Sequence, residues 1–143
     1  MVSSQYVIVV GCGRLGSLMA SRLSSLGRSV VVIDRDPAAF ENLSVEFSGF
    51  QVAGDAAELD VLRQARIDRA QWLLAVTSYD NLNLMVAQAA QAVFGVPQVM
   101  ARVNDPSREA MYREFGIETI SPTKLSAAAF LSALGVPGEA ELP

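Results

Sequence analysis

Short apolar runs alternate along the chain with longer segments in which apolar residues recur at helical spacing. The runs at residues 7–10 and 30–33 lack polar alternation, which is typical of strands buried on both faces of a parallel sheet. With their flanking residues and four similar runs, they predict strands at residues 5–10, 29–33, 50–53, 71–76, 98–102 and 117–121.

Helical segments with recognisable ends connect these strands. The predicted helices cover residues 14–26, 37–47, 57–65, 79–94, 106–115 and 123–134. Two of them begin with an Asp-Pro pair, Asp36-Pro37 and Asp105-Pro106, in which the aspartate is the N-cap and the proline takes the first helical position. The alternation predicts an α/β fold: a three-layer, doubly wound (Rossmann) parallel sheet of six strands in the order 3-2-1-4-5-6, with a C-terminal helix.

Length, charge and residue usage exclude several classes of protein. The 143 residues suit a single domain, residues 1–135, followed by a tail at 136–143 that we expect to be flexible. A net charge of −4 argues against electrostatic binding to nucleic acid or anionic lipid. We expect no membrane insertion, because no run approaches the ~20 apolar residues of a span and no basic signal-peptide segment is present. One cysteine and no histidine argue against an internal disulfide and a zinc site, and fit a reducing cytoplasm.

Three glycines between the first predicted strand and its helix have the spacing of a dinucleotide-binding turn. Gly11 permits the tight turn, Gly13 lets the backbone approach a pyrophosphate, and Gly16 lets the helix pack closely. The free N–H groups at the start of the helix would face the phosphates. Asp34 ends the second strand, where it would bind ribose hydroxyls and repel a 2′-phosphate, so NADP is disfavoured despite Arg35. The alternative is a glycine turn that serves only helix–sheet packing.

Two other arginines are candidate anion contacts. Arg14 lies at the start of a helix, where a cation opposes the dipole; a third phosphate or an acid of a neighbouring subunit would explain it. The alternative is a solvent-exposed side chain. Arg102 ends the fifth strand, and its alternative role is an ion pair with Asp105 or Glu118.

The remaining candidates for cofactor contact lie in the glycine turn or follow strands three and four, where ligands bind in this fold. They are Cys12, Leu15, Asp55, Ala56, Thr77 and Ser78. Asp55 would approach adenine or cap the next helix, and the hydroxyls of Thr77 and Ser78 would meet phosphate or ribose or cap the helix at 79–94. Cys12 is interpreted as a small filler residue, with a redox role as the alternative.

Five segments of the sequence together resemble the nucleotide-binding RCK (KTN, TrkA-N) domain family. They are "VVGCGRLGSLMASRLSSLGRSVVVIDRDP", "VAGDA", "LLAVTSYDNLNLMVAQAA", "ARVNDP" and "GIETISP", and the resemblance extends to about Leu134. Such domains regulate potassium channels and the Trk/Ktr potassium uptake systems. The resemblance implies a cytoplasmic regulatory subunit, held at the inner face of the membrane by a potassium channel or transporter subunit. It also implies binding of ATP, ADP, AMP or NAD(H) and assembly into homodimers and larger rings.

The same resemblance implies roles for individual residues. Arg14 falls on the turn arginine that, in ATP-binding members, reaches a terminal phosphate across the dimer. Asp55 and Ala56 fall on a Gly-Asp-Ala block near adenine, and Thr77 on the threonine after strand four. Full subunits continue into a second, C-terminal RCK domain that is absent from this sequence. The chain is therefore either a natural single-domain member or a chain cut at the domain boundary.

Apolar residues occur on more than one face of the predicted helices. Hydrophobic residues make up 51% of the chain and the mean hydropathy is +0.31. One sheet covers only one face of each helix, so the remaining apolar residues predict an isologous homodimer. The alternative is that small alanines fill a crowded core.

Two other functions remain as alternatives to a nucleotide-sensing regulator. An NAD-dependent oxidoreductase would need a substrate domain and an acid/base residue, and the sequence has no histidine. The position four after Tyr79 is Asn83, so the Tyr-x-x-x-Lys pair of short-chain reductases is missing. A Rossmann scaffold that binds no nucleotide would not require the glycine turn and Asp34. We therefore expect no enzymatic activity.

Overall fold

Six parallel strands form one sheet in the order β3-β2-β1-β4-β5-β6 in the computed structural model, which describes residues 5–137. The strands are β1 (Tyr6–Val10), β2 (Ser29–Asp34), β3 (Phe50–Ala53), β4 (Trp72–Ala75), β5 (Gln98–Arg102) and β6 (Glu118–Ile120). The predicted fold and strand order are confirmed. Of the tail expected to be flexible, residues 138–143 lie outside the described residues.

Within residues 5–137, four α-helices and three 3-10 turns connect the strands, and a fifth α-helix follows the last strand. The helices are α1 (Arg14–Ser25), α2 (Leu59–Gln64), α3 (Asp80–Ala92), α4 (Glu109–Glu114) and α5 (Pro122–Ala133). The 3-10 turns are Pro37–Asn42, Ile67–Arg69 and Pro106–Arg108. Both Asp-Pro pairs start a 3-10 turn, with Asp36 and Asp105 as N-caps. No helix within the described residues has the length and apolar character to cross a membrane.

The prediction of a helix at residues 37–47 is wrong, because the segment forms only the short 3-10 turn. The backbone N–H of Ser44 donates to Ser21 Oγ on α1 (3.0 Å), and the Asn42 side chain donates to the carbonyl oxygen of Cys12 (3.0 Å). These side-chain bonds compete with helical backbone bonds and fasten the segment to α1 and the glycine turn.

Side chains of the central strands alternate between two buried faces. Ile8 and Ile33 belong to one core cluster, which includes residues of α2, α3 and α4. Val9 and Val32 belong to the other, which is covered by α1 and the turn Pro37–Asn42. Burial on both faces confirms the expectation for β1 and β2 and makes a three-layer structure.

The second face of the sheet is only partly covered over β4, β5 and β6. On the first face, Leu73 and Val99 are buried. On the second face, the register neighbours Leu74 and Met100 are partly buried and Ile120 is 39% exposed. The helix that follows β6, α5, contains no buried residue. One half of the sheet therefore leaves apolar surface uncovered in a single copy of the chain.

Cys12 lies fully buried in the cluster on the α1 side of the sheet. Burial, together with the negative charge of Asp34, raises the pKa of its thiol to about 11. The thiol is therefore protonated at neutral pH and packs as a small apolar group, which supports its interpretation as a filler residue.

Alanine substitutions at Gly16 and Gly13 should differ in their effect on stability, because only Gly16 is closely packed. A Cβ on Gly16 would lie 1.7 Å from the carbonyl oxygen of Gly11, whereas a Cβ on Gly13 would meet no atom within 4 Å. We expect Gly16→Ala to lower the free energy of unfolding by about 2 kcal/mol or more, because a side-chain rotation cannot relieve a clash with backbone. Gly13→Ala should stay within about 0.5 kcal/mol of the wild type in urea titrations. Equal stability of the two variants would contradict this account.

The Cys12 thiol should make stability fall at alkaline pH. Between its ordinary pKa of 9.0 and its folded pKa of about 11, the unfolded state releases the thiol proton and the folded state keeps it. The difference in unfolding free energy between the wild type and Cys12→Val should thus be constant below about pH 9 and fall up to about pH 11. Iodoacetamide should alkylate the folded protein at pH 8 about 100-fold more slowly than the urea-unfolded chain. Equal alkylation rates would show that the thiol is accessible.

Candidate nucleotide-binding site

A cleft opens at the carboxyl ends of β1–β4, next to the glycine turn. It is lined by Val10, Gly11, Ile33, Asp34, Arg35, Gly54, Asp55, Ala56, Thr77, Ser78, Tyr79 and Leu82. Seven of the predicted site residues are thus brought together from four strand ends. The cleft itself holds about 100 Å³, so only part of a nucleotide would fit inside it and the rest would lie along the exposed turn.

The glycine turn connects β1 to α1 with its backbone folded closely on itself. Gly11 has a φ of +109°, and its N–H donates to the Ile33 carbonyl (2.8 Å). A Cβ on Gly11 would lie 3.1 Å from backbone and side-chain atoms of Thr77. Gly11 is therefore required by its positive φ in the tight turn and Gly16 by the close packing of α1, as predicted for each, whereas Gly13 is exposed and leaves room for a ligand.

The start of α1 has free backbone N–H groups, as anion-binding helix starts do. Gly13 is its N-cap, and within the described residues no side chain caps the helix and no acid lies in its first turn. The N–H groups of Arg14, Leu15 and Gly16 precede the first intrahelical bond, from Ser17 N–H to the Gly13 carbonyl (2.9 Å). These amides carry the positive end of the helix dipole. The Arg14 side chain is exposed and has no ion pair within residues 5–137.

The carboxylate of Asp34 is fixed by two backbone N–H groups at the edge of the cleft. Its Oδ2 accepts from Cys12 N–H (2.8 Å) and its Oδ1 from Asp36 N–H (2.9 Å). Each oxygen keeps a further lone pair, so the carboxylate is oriented and still able to accept hydrogen bonds from a diol. Asp34 therefore links the end of β2 to the glycine turn.

The residues after β3 and β4 do not cap the helices that follow them. Asp55 Oδ1 accepts from Ala57 N–H (2.9 Å), but α2 begins only at Leu59 with Glu58 as its N-cap. The N-cap of α3 is Tyr79. Both predicted capping alternatives are therefore wrong, and the Asp55 side chain forms a local turn beside the cleft.

The Thr77 hydroxyl is already engaged within the protein. It donates to Asn83 Oδ1 (2.7 Å) and accepts from Tyr79 N–H (3.1 Å). Because Asn83 takes the hydroxyl proton, Thr77 can offer a ligand a lone pair but no donor. Ser78, beside it, is exposed in the lining of the cleft.

Arg102 does not line the cleft and forms neither predicted ion pair. Its Nε donates to Asn104 Oδ1 (2.6 Å), and its guanidinium lies 3.5 Å from the Val76 carbonyl. Asp105 lies 4.0 Å from Arg108 instead. Arg102 therefore connects the ends of β4 and β5. Its contact with a ligand stays a prediction, because the residue does not line the cleft.

Sequence reasoning missed the role of Asn83, which is fully buried on α3. Its amide bonds to Thr77 and to the Arg102 carbonyl. A signal was available: Asn83 occupies the same helical stripe as the buried Val86, Ala87 and Ala90. A polar residue on a core-facing stripe requires partners, and only the fold identifies them.

The comparisons with known proteins relate this chain to one domain family. The sequence profile of the TrkA-N domain matches residues 7–122. The Trk system potassium uptake protein TrkA of Streptomyces coelicolor is 40% identical over 136 residues, which are 95% of this chain and 60% of that protein. This chain therefore spans less than two thirds of the length of that relative.

Two similar solved structures contain nucleotides. The Kef CTD of Shewanella denitrificans in its AMP-bound form is 25% identical, with a TM-score of 0.77 over 92% of this chain and 80% of that one. The GsuK channel bound to NAD is 25% identical, with a TM-score of 0.73 over 94% of this chain and 23% of that one. Since the family profile covers most of the sequence and the fold agrees, the chain belongs to the TrkA-N domain family.

Proposed function

We propose that this chain is a nucleotide-binding regulatory domain of a potassium transport system. The observation that carries the proposal is the oriented Asp34 carboxylate, which lies beside an uncapped helix start at the open Gly13 position. A similar protein, 40% identical, is a Trk system potassium uptake protein, and similar domains have been solved with AMP and with NAD.

The cleft suits the parts of an adenine nucleotide in a fixed order. Phosphates would lie over Gly13 and the first amides of α1, where both the N–H groups and the helix dipole favour negative charge. The ribose diol would donate to Asp34, and adenine would lie near Asp55 and Ala56. Thr77 would accept one hydrogen bond from the ligand.

These contacts are common to AMP, ADP, ATP and NAD(H), and they disfavour NADP. Asp34 recognises the ribose that all of these share, and its charge would repel a 2′-phosphate more strongly than the exposed Arg35 would attract it. Arg14 would add a contact for a terminal phosphate or for an acid of a second subunit. The proposed role is binding without turnover, so the bound nucleotide acts as a signal.

The apolar surface supports assembly with a second copy. Leu125 and Phe130 on α5 and Leu134 at its C-cap are 59%, 74% and 76% exposed. They follow the half of the sheet whose second face is only partly covered. Two of the four alanines of α3, Ala87 and Ala90, fill the core, yet the larger Met85 of the same helix is 51% exposed. We propose that a second copy covers this surface in a homodimer and that the assembly contacts a membrane channel or transporter subunit from the cytoplasm.

Nucleotide binding should depend on Asp34 and on the open glycine. Calorimetry with AMP, ADP, ATP and NADH should give binding, and ligand at 100 Kd should stabilise the fold by about 2.7 kcal/mol in thermal melts. Asp34→Ala should weaken binding roughly 10- to 100-fold, because hydrogen bonds to a charged acceptor are lost. Gly13→Ala should weaken binding without lowering stability, because its Cβ would occupy the space that phosphates need.

Controls separate recognition from general damage and from catalysis. Asp68→Ala removes an exposed acid away from the cleft and should bind as the wild type does. NADP should bind more weakly than NAD, and Asp34→Ser should narrow that gap. Chromatography of the recovered ligand should return the nucleotide unchanged. If none of these nucleotides shifts the melting temperature of the wild type, the proposed function is wrong.

Assembly should depend on the exposed face of α5. Light scattering at micromolar concentration should give the mass of a dimer for the wild type and of a monomer for Phe130→Asp, because the charge would have to be buried at the interface. Unchanged circular dichroism would show that the variant folds. Val45→Asp, at a fully exposed residue outside the helices and strands, should remain dimeric. A monomeric wild type would count against the homodimer.

A further inference from the structure

The side chain of Asn83 connects two loops that the sequence separates. Its Oδ1 accepts from the Thr77 backbone N–H (2.9 Å) and hydroxyl (2.7 Å), and its Nδ2 donates to the carbonyls of Thr77 (3.0 Å) and Arg102 (3.0 Å). An amide side chain has two donors and two acceptor lone pairs, so all of its capacity is used. Thr77 follows β4 and Arg102 ends β5, and one fully buried group therefore fixes both positions.

The neighbouring turn of α3 holds the second loop as well. The Asp80 carboxylate accepts from the Asn104 backbone N–H (2.6 Å), the Asn104 side chain (2.9 Å) and Asp105 N–H (3.0 Å). The Asn104 side chain also donates to the Thr77 carbonyl (3.3 Å). The loops after β4 and β5 are thus joined through the start of α3.

One end of this junction touches the nucleotide cleft. Thr77 lines the cleft, and three of its atoms lie 3.1 Å from the position of a Cβ on Gly11. The threonine therefore packs directly against the glycine turn. A ligand that presses on the turn or bonds to Thr77 acts on the residue whose N–H, hydroxyl and carbonyl Asn83 holds.

The other end touches the base of α5. The Asn104 carbonyl accepts from the Thr123 hydroxyl (3.4 Å), and Ser121 caps the helix by accepting from Lys124 N–H (3.2 Å). Lys124 also forms an ion pair with the mostly buried Glu109 (2.9 Å). The first turn of α5 is therefore joined to the loop after β5 through Thr123 and to the start of α4 through Lys124, while the rest of the helix carries the exposed apolar residues.

We propose that Asn83 is a positioning residue that couples the nucleotide cleft to the base of α5. The ligand part of this proposal rests on the proposed function. Because Asn83 saturates its hydrogen bonds between Thr77 and Arg102, a shift of Thr77 either moves the loop after β5 with it or leaves buried polar groups unpaired. A nucleotide that stabilises one position of Thr77 then also stabilises one position of the first turn of α5.

The junction is tested first without ligand, by hydrogen exchange and mass spectrometry. Asn83→Ala should raise exchange about fivefold or more in residues 76–79 and in residues 102–105 together, because loss of the amide frees both loops. Gln91→Ala is the matched control, since that side chain of α3 donates to the Gly116 carbonyl at the far end of the helix. The control should leave both loops unchanged. Faster exchange in residues 76–79 alone would overturn the proposal.

The coupling is tested with ADP at saturation. In the wild type, ADP should slow exchange in residues 76–79, 102–105 and 121–125. Asn83→Ala should raise the Kd for ADP about tenfold, a usual size for coupling between sites. At matched saturation it should lose the effect at 102–105 and 121–125. Retained protection there in the variant, or none in the wild type despite ADP binding, would overturn the proposal.

The ligand-free exchange and a second variant allow the failure of this proposal to be distinguished from the failure of the proposed function. Failure of the wild type to bind any nucleotide contradicts the proposed function, while the ligand-free exchange still decides whether Asn83 joins the two loops. If Asn83→Ala does not fold, Thr77→Val replaces it, since valine keeps the shape and loses the hydroxyl bond to Asn83 together with the hydroxyl contacts to the Tyr79 backbone. That variant should raise exchange at 102–105 by a smaller factor, and unchanged exchange there would overturn the proposal.

Discussion

The close approach of two backbone segments at the glycine turn is the constraint on which the rest of the structure depends. The carbonyl oxygen of Gly11 occupies the place where a side chain on Gly16 would begin. This contact brings the start of α1 against the end of β1, so that its free amides lie next to the cleft. Asp34 holds the same turn from β2 through Cys12 N–H, and Thr77 packs behind it from β4. The ends of β1, β2 and β4 therefore meet at the glycine turn, and this close approach requires that residue 16 of α1 has no side chain.

Local signals predicted most of this arrangement. Apolar runs, Asp-Pro caps and glycine spacing each depend on a few consecutive residues, and they predicted the strands, the turn and the position of Asp34 at its edge, while the strand order followed from the match to the doubly wound fold. Predictions failed where a distant residue decides. The segment after residue 42 leaves the helical path because Ser21 binds Ser44, and Arg102 pairs with Asn104 and the Val76 carbonyl instead of with an acid. Asn83 could be recognised as unusual on its stripe, but its partners lie 6 and 19 residues away.

Hydrogen bonds to one buried amide, Asn83, and to the carboxylates of Asp34 and Asp80 organise the loops around the cleft. Asn83 is enclosed, and every polar atom of its side chain has a partner. A hydrophobic residue at the same place on α3 would also pack against the core, but it would form no hydrogen bond that fixes the position of either loop. A saturated amide is different, because displacement of one partner leaves unpaired groups in a low-dielectric interior. The amide thus gives the loops after β4 and β5 one common arrangement.

The two halves of the sheet differ in a way that relates this junction to assembly. Around β1 and β2 both faces are buried, whereas beyond β4 the second face carries the partly exposed Met100 and Ile120, and α5 contains no buried residue. The Asn83 junction lies at the boundary between these halves, with the glycine turn on one side and the first turn of α5 on the other. Linkage is reciprocal in free energy. Suppose that a second copy binds more tightly when the first turn of α5 is in one of its positions. Dimer formation must then change the affinity for nucleotide by the same factor by which nucleotide binding changes the affinity between the two copies. If the proposed coupling holds, nucleotide binding and dimer formation both depend on the same equilibrium between positions of the loops after β4 and β5.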